Sequence, residues 1–426
     1  MKKIPFLKGF IKRFIKHPLF AGSFIMIFGN LGVNVINYIY HLLMGRILGP
    51  VDYGVLASLF SILYIIGIVP QSTSFAITKF ISSAKNVSEV KSIYHTINKF
   101  IFSFALIISI LVGVSSPLIA NFLHIKGIWS VVMIAPILFA ILITLVNQAT
   151  SQGLLKFGGV VIPSLVSSLG KIILGISFVL AGFGVFGAVF GIVLGAAVAY
   201  FSSTIFIKEI LKVKTGESDF TLSKFLKYAF PVLLQALAFT SLFSTDVILV
   251  KHFLSPFEAG IYAALSTLGK IIYFASSPIT ATMFPIVSGR KARGEGYQKI
   301  FFMSLAVTAL LSAAIVIIYL FFPGVTIGML YGKAYLSAKT ELVWMGVFIL
   351  FYTLSSLLVN FSLSLGKVKI VVFPLIISLI QIPAIWFFHN SILQVIQISL
   401  GLSALLFLML ILYLGYNRLA KSYEKE

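Results

Sequence analysis

The chain has 426 residues, 59% of them hydrophobic and only 10% charged, with a mean hydropathy of +1.09, values that exclude a soluble domain. Its 32 Lys and Arg against 11 Asp and Glu give a net charge of +21; in a soluble protein that would point to nucleic acid, but in an integral membrane protein it reflects topology and contact with anionic lipid, so no nucleic-acid partner is expected. The absence of Cys excludes disulfides and thiolate metal sites.

In chain order, residues 1–18 form a basic amphipathic segment, centred on Phe6–Lys16, that reads as a surface anchor on the inner leaflet. No small-residue cleavage site follows a short apolar core, so no cleaved leader is expected. Apolar runs of about 20 residues then recur, each long enough to cross a hydrocarbon core of about 30 Å as a helix. None alternates polar and apolar residues as barrel strands do. Gly/Pro turns and charge clusters divide the runs into six spans in an N-terminal lobe over 19–207, near 19–46, 54–82, 98–122, 128–150, 160–182 and 185–207. After a linker at 208–226, six more make a C-terminal lobe over 227–416, near 227–253, 260–288, 300–322, 340–365, 370–388 and 392–416, followed by a tail at 417–426. An even number of spans per lobe makes the repeat parallel. The predicted fold is therefore an all-α polytopic membrane protein of about twelve transmembrane helices in two parallel six-helix lobes around a central cavity.

Lys and Arg set the orientation. The N-terminus, the linker (Lys208, Lys212, Lys214, Lys224, Lys227), the loop Arg290-Lys291-Ala292-Arg293 and the tail all fall on one side, whereas the opposite side receives only Arg46, Lys126, Lys251, Lys333 and Lys339. By the positive-inside rule both termini are cytoplasmic, and the protein is expected in the cytoplasmic (inner) membrane.

One motif occurs twice, 206 residues apart. Leu48-Gly49-Pro50-Val51-Asp52-Tyr53-Gly54 and Leu254-Ser255-Pro256-Phe257-Glu258-Ala259-Gly260 each place Pro where a helix stops, an acid where the next helix dipole favours negative charge, and Gly where a tight turn is expected to need a positive φ. With the flanking Gly45-Arg46-Ile47, Asp246-Val247-Ile248-Leu249-Val250-Lys251 and Met283-Phe284-Pro285, these residues resemble the multidrug/oligosaccharidyl-lipid/polysaccharide exporter superfamily, in its polysaccharide-transporter and O-antigen-type flippase branch. The resemblance implies a MATE-like architecture working by alternating access. Its usual substrate is an undecaprenyl-pyrophosphate-linked oligosaccharide moved to the outer leaflet for cell-surface polysaccharide. It also implies membrane lipids as partners, and a polysaccharide polymerase or glycosyltransferases as protein partners.

Such a substrate needs cations for its pyrophosphate and polar groups for its sugars. An ionisable side chain in the bilayer interior is costly and marks a functional candidate. Lys171 lies about 11 residues into the fifth span, about 16 Å deep at 1.5 Å per residue, and Lys270 lies similarly deep in the eighth. They read either as anion-binding groups or as snorkelling, helix-paired lysines. Asn30, Asn34 and Asn37 share one helical face, suited to sugar hydroxyls or to tying helices together. Arg46 and Lys251 end equivalent spans just before the motif, as an outer gate or as clamps on helix ends or on Asp52 and Glu258. Asp246 reads as a gating or cation-coupling carboxylate, or as the ion-pair partner of Arg46 or Lys251. The polar run at 147–152 closes the fourth span, as a helix end or a sugar site.

Catalysis has no support. The six His residues show no metal spacing, no phosphate-binding loop of the G-x-x-x-x-G-K-[ST] type is present, and neither a cofactor nor a metal is expected. The rival to a lipid-linked oligosaccharide flippase is a cation-coupled multidrug antiporter of the same fold, which would keep acids in the membrane interior. A membrane-embedded glycosyltransferase or ligase would need long outward loops, which are missing. The topology is directly testable: reporters fused after Lys214 and after Arg293 should report cytoplasm, and reporters within 49–53 and near Tyr335 the exterior. An exterior signal at Lys214 would break the six-plus-six arrangement.

Overall fold

The computed structural model describes residues 18–216 and 220–423. The basic start expected over 1–18 falls almost wholly outside them, as do 217–219 of the linker and 424–426 of the tail. The described residues are overwhelmingly helical and include no strand, as expected where lipid offers the backbone no hydrogen-bonding partner. The helices are α1 (Pro18–Ile66), α2 (Ile68–Ser82), α3 (Val87–Val114), α4 (Ser116–Phe122), α5 (Ile128–Val132), α6 (Ile134–Gly153), α7 (Gly158–Phe178), α8 (Gly184–Lys212) and α9 (Leu222–Leu242). They continue as α10 (Thr245–Phe253), α11 (Pro256–Ala292), α12 (Gln298–Phe321), α13 (Pro323–Leu330), α14 (Glu341–Ser364), α15 (Val372–Phe387) and α16 (Ile392–Tyr423). Ten stretches among the described residues are long and apolar enough to span a membrane. Two of them are interrupted, at Gly49 and around Gly182, which makes the count consistent with twelve crossings.

The interruptions follow from local chemistry. In α1 Gly49 takes φ 73° and ψ 175°, a conformation side chains disfavour, and Pro50 then starts a second helical arm. In the second copy of the motif Ser255 caps α11. Its hydroxyl accepts from the Glu258 amide while the Glu258 carboxylate accepts from the Ser255 amide, and Pro256 fills the first turn, where its missing N–H costs nothing. Asn86 caps α3 in the same manner, accepting from the Glu89 amide at 2.8 Å.

The chain forms two compact units. The first comprises 1–43, 69–121 and 126–230; the second comprises 44–68, 122–125 and 231–426. The division at 230/231 falls beside the expected linker, but two pieces of the first half group with the second unit. In the first unit α7 and α8 pack closely enough for Gly191 to meet the backbone of Gly175. Ile77, Ile93, Ile97, Val146, Ile207 and Phe225 fill a core between α2, α3, α6, α8 and α9. In the second unit α14 is the central helix, buried along most of its length from Leu342 to Ser364.

The motif explains why 44–68 belongs to the second unit. A Cβ on Gly54 would lie 2.8 Å from the Gly260 amide nitrogen, and one on Gly260 would collide with the Pro50 carbonyl. The two copies thus cross at their glycines, backbone on backbone. This corrects the sequence-based reading of Gly54 and Gly260 as positive-φ turn residues: both are helical, only Gly49 of the motif glycines has a positive φ, and the pair is glycine because nothing larger fits. Gly54→Val and Gly260→Val should each destabilise the protein by roughly 1–3 kcal/mol or more, since the colliding neighbour is backbone that cannot repack. A thermal midpoint of the purified variants equal to that of the parent would refute the crossing.

Candidate functional site

In the first unit Lys171, within the long apolar helix α7, stands on an aromatic face. Lys171 Nζ lies 4.8 Å from the centre of the Tyr40 ring, within the range of a cation–π attraction. Tyr40 is fully buried on the first arm of α1, and its hydroxyl donates to the Ala188 carbonyl of α8 at 3.2 Å, which fixes the ring. One turn away on each helix, Ser168 donates to Asn37 Oδ1 at 3.0 Å. Gly195 of α8 approaches the backbone of Ser167 and Lys171, so close packing sets the position of α7. Of the asparagine face, Asn37 is therefore brought beside Ser168 and half-buried, while Asn30 and Asn34 are exposed.

The run at 147–152 sits elsewhere in this unit and ties helices. Buried Asn147 accepts from the Tyr94 hydroxyl at 3.0 Å and donates to Ser203 Oγ at 2.9 Å, and Gln148 donates to the Val160 carbonyl and Ser164 Oγ. These bonds link α3, α6, α7 and α8.

In the second unit Lys270, only 9% exposed on α11, has its Nζ 4.8 Å from the Phe243 ring and 5.9 Å from the Tyr64 ring. Tyr64 and Lys270 are themselves 206 residues apart. The second arm of α1 and the start of α11 therefore bring repeat-equivalent positions together twice, at Gly54/Gly260 and again three helical turns deeper. Phe243 belongs to an aromatic wall, with its ring centre 6.1 Å from that of Tyr273 and 5.4 Å from that of Tyr352. Lys270 and Asp246 interact electrostatically. The fully buried Asp246 carboxylate accepts from the Tyr262 hydroxyl at 2.6 Å and from the Val247 amide at 2.8 Å. Nearby on α15, buried Gln381 donates to the Leu242 carbonyl and Ser399 Oγ, both at 3.1 Å.

The gating candidates take different partners. Arg46 does not meet Asp246: its guanidinium donates to the carbonyls of Leu330 at 3.1 Å, Gly328 at 3.4 Å and Met329, the last turn of α13. That is a clamp on a helix end, where four carbonyls lack intrahelical partners and the dipole favours a cation. Lys251 is buried, with Asp52 as its electrostatic partner. Beside these stand residues that sequence reasoning missed. Tyr53, fully buried, shares hydrogen bonds of 3.0 Å with Thr267 Oγ1 and with the Tyr331 hydroxyl, and Tyr335 donates to the Gly45 carbonyl at 2.8 Å. The available signal was the tyrosine within the motif itself, a large ring with a polar tip beside a glycine. Among the described residues no cluster of His, Asp and Glu could hold a metal.

The architecture is that of known transporters. The chain superposes on an inward-facing multidrug resistance MATE family transporter of the MOP superfamily with a TM-score of 0.73 at 16% identity, covering 91% of this chain and 95% of the other. It superposes on the lipid II flippase MurJ in an inward closed conformation with a TM-score of 0.72 at 15% identity, covering 92% and 87%. A MOP superfamily transporter from Pyrococcus furiosus, described as having a binding pocket of reverse polarity, gives 0.58 at 16% identity over 95% of each chain. The fold is thus that of the multidrug/oligosaccharidyl-lipid/polysaccharide exporter superfamily. Residues 43–340 match the family of polysaccharide biosynthesis proteins, and the chain belongs to that family. Comparison with curated proteins returns no match.

The Asp246 environment generates a direct test. Tyr262→Phe removes the side-chain donor to a fully buried carboxylate and should lower stability by about 1–3 kcal/mol, read as a drop in the denaturation midpoint. That drop should vanish when Asp246→Ala, which leaves no acceptor, is already present; an equal drop in both backgrounds would show that the bond contributes nothing.

Proposed function

We propose that this protein moves a lipid-linked oligosaccharide, carried on undecaprenyl pyrophosphate, from the cytoplasmic to the outer leaflet of the cytoplasmic membrane by alternating access, for the assembly of cell-surface polysaccharide. Membership of the polysaccharide biosynthesis family supports it. The observation that carries it is the balance of charge inside the spans. Lys171 and Lys270, one in each unit, stand on ring faces at the same 4.8 Å, whereas Asp246 is the one buried acid among the described residues. Each ammonium sits against an aromatic face, Lys270 with Asp246 as a further electrostatic partner, and both are cations that a pyrophosphate can engage. Asn37, with Asn30 and Asn34 along the same helix, supplies polar groups for sugar hydroxyls. The basic loops lie in the cytoplasm with both termini.

A second reading, cation-coupled multidrug antiport, is favoured by Asp246 alone: a fully buried carboxylate with one side-chain donor is the group such exchange requires.

Reconstitution in liposomes with defined pyrophosphate-linked oligosaccharides, beside a cationic-drug control, decides between them. Lys171→Ala and Lys270→Ala should each lower headgroup translocation, and Lys→Arg should retain more, because Arg also engages a pyrophosphate. Removing either lysine should ease membrane insertion, by about 3 kcal/mol on insertion scales, so loss of transport with normal insertion separates function from folding. Full-rate transport by both alanine variants, or drug movement with none of the sugar, would overturn the proposal.

A further inference from the structure

The 206-residue repeat extends beyond the glycine motif to two pairs of positions at the same end of the second unit. Arg46 corresponds to His252, and Phe122, the last residue of α4, corresponds to Gly328 near the end of α13. Both pairs are joined across the repeat. Arg46, from the first copy, donates to the carbonyls of Gly328, Met329 and Leu330 in the second. His252, from the second copy, lies with Nδ1 2.6 Å from the Phe122 carbonyl of the first. A carbonyl only accepts, so Nδ1 carries the proton of that bond. The His252 ring also lies flat on the Phe122 ring, 4.0 Å between centres and 4° from parallel. The short helices α4 and α13 thus have their terminal carbonyls met by the opposite copy.

The exchange has an energetic meaning. The last carbonyls of a helix have no intrahelical partner, and near hydrocarbon an unmet carbonyl is costly. Here each copy leaves its own short helix end to be capped by a donor on the other copy. The caps flank the Gly54/Gly260 crossing and the bonds of Tyr53, Tyr331 and Tyr335, which fasten the same segments. Among the described residues the ion pairs lie elsewhere, at Lys156–Glu209 and around Glu295, so the fastening consists mainly of hydrogen bonds to carbonyls and between hydroxyls. Arg46 is exposed, and on release water can replace its partners.

We infer that the exchanged caps form a latch: residues 44–54 and Phe122 part from 245–267 and 323–338 only when Arg46 and His252 both leave the carbonyls they cap. The latch does not depend on the identity of the substrate, and its test requires none.

The cysteine-free chain allows single-cysteine reporters in the full-length protein in nanodiscs. Ser58→Cys and Ser266→Cys, at buried positions flanking the crossing on α1 and α11, report opening through reaction with a charged maleimide. Ser312→Cys, fully buried in the middle of α12, is the control. Arg46→Gln and His252→Phe, the latter keeping the ring stack but losing the donor, should each speed labelling of the two reporters. The double variant should speed it about tenfold or more, as expected for losing hydrogen bonds to a charged donor and a second cap together. Arg46→Lys should fall between. Ser312→Cys should label at the parent rate throughout. If both reporters in the double variant label no faster than in the parent, or if Ser312→Cys accelerates equally because the whole fold has loosened, the latch does not exist.

Discussion

The second unit depends on one contact, the approach of two glycine backbones at Gly54 and Gly260. Between helices in lipid there is little hydrophobic drive, so association rests on van der Waals fit and on hydrogen bonds that close packing makes possible. Once the two backbones touch, the register of the second arm of α1 against α11 is set. Tyr53 then lands on Thr267 and Tyr331, Tyr64 lands under Lys270, and Arg46 reaches the end of α13. A single methyl at the crossing would collide with backbone and force the two helices apart.

The polar groups inside the spans are held in two ways. Asn147, Gln148, Gln381 and Tyr262 are spent on other protein groups, so they specify how helices pack. Lys171 and Lys270 also rest on ring faces, those of Tyr40 and Phe243, and Lys270 has Asp246 as an electrostatic partner. Outside the spans, charge behaves as it does in water-facing loops: Arg293, hydrogen-bonded to Glu295 between α11 and α12, holds that carboxyl below the ordinary carboxylate range.

Much of the fold was legible because a bilayer imposes length and hydropathy on every crossing; the helices and the repeat follow from apolar runs and from the Gly-Pro-acid motif. That Lys171 and Lys270 fall within long apolar helices was legible by counting turns. Their supports were not, because Tyr40 and Phe243 lie far from them in sequence and an aromatic within an apolar run looks like any core residue. The role of Gly54 and Gly260 was misread for a related reason: sequence shows that a side chain is missing, but not whether a dihedral angle or a neighbour requires it. The exchanged helix ends were hidden because α4 and α13 are too short to stand out from the spans that lead into them. A clamp on a helix end was among the readings of Arg46, beside an outer gate or a pairing with an acid, but which helix end it would clamp was not legible.

The meeting of Tyr64 with Lys270 bears on the origin of such a chain. In a dimer of two identical halves, a residue beside the two-fold axis faces its own copy. A lysine there would confront a second lysine in a medium that screens poorly, and a tyrosine there would supply a ring with no cation to hold. Joining the halves into one polypeptide frees the two positions to differ. The fused protein can place a cation beside its axis and a ring opposite it, a pairing that exact symmetry forbids.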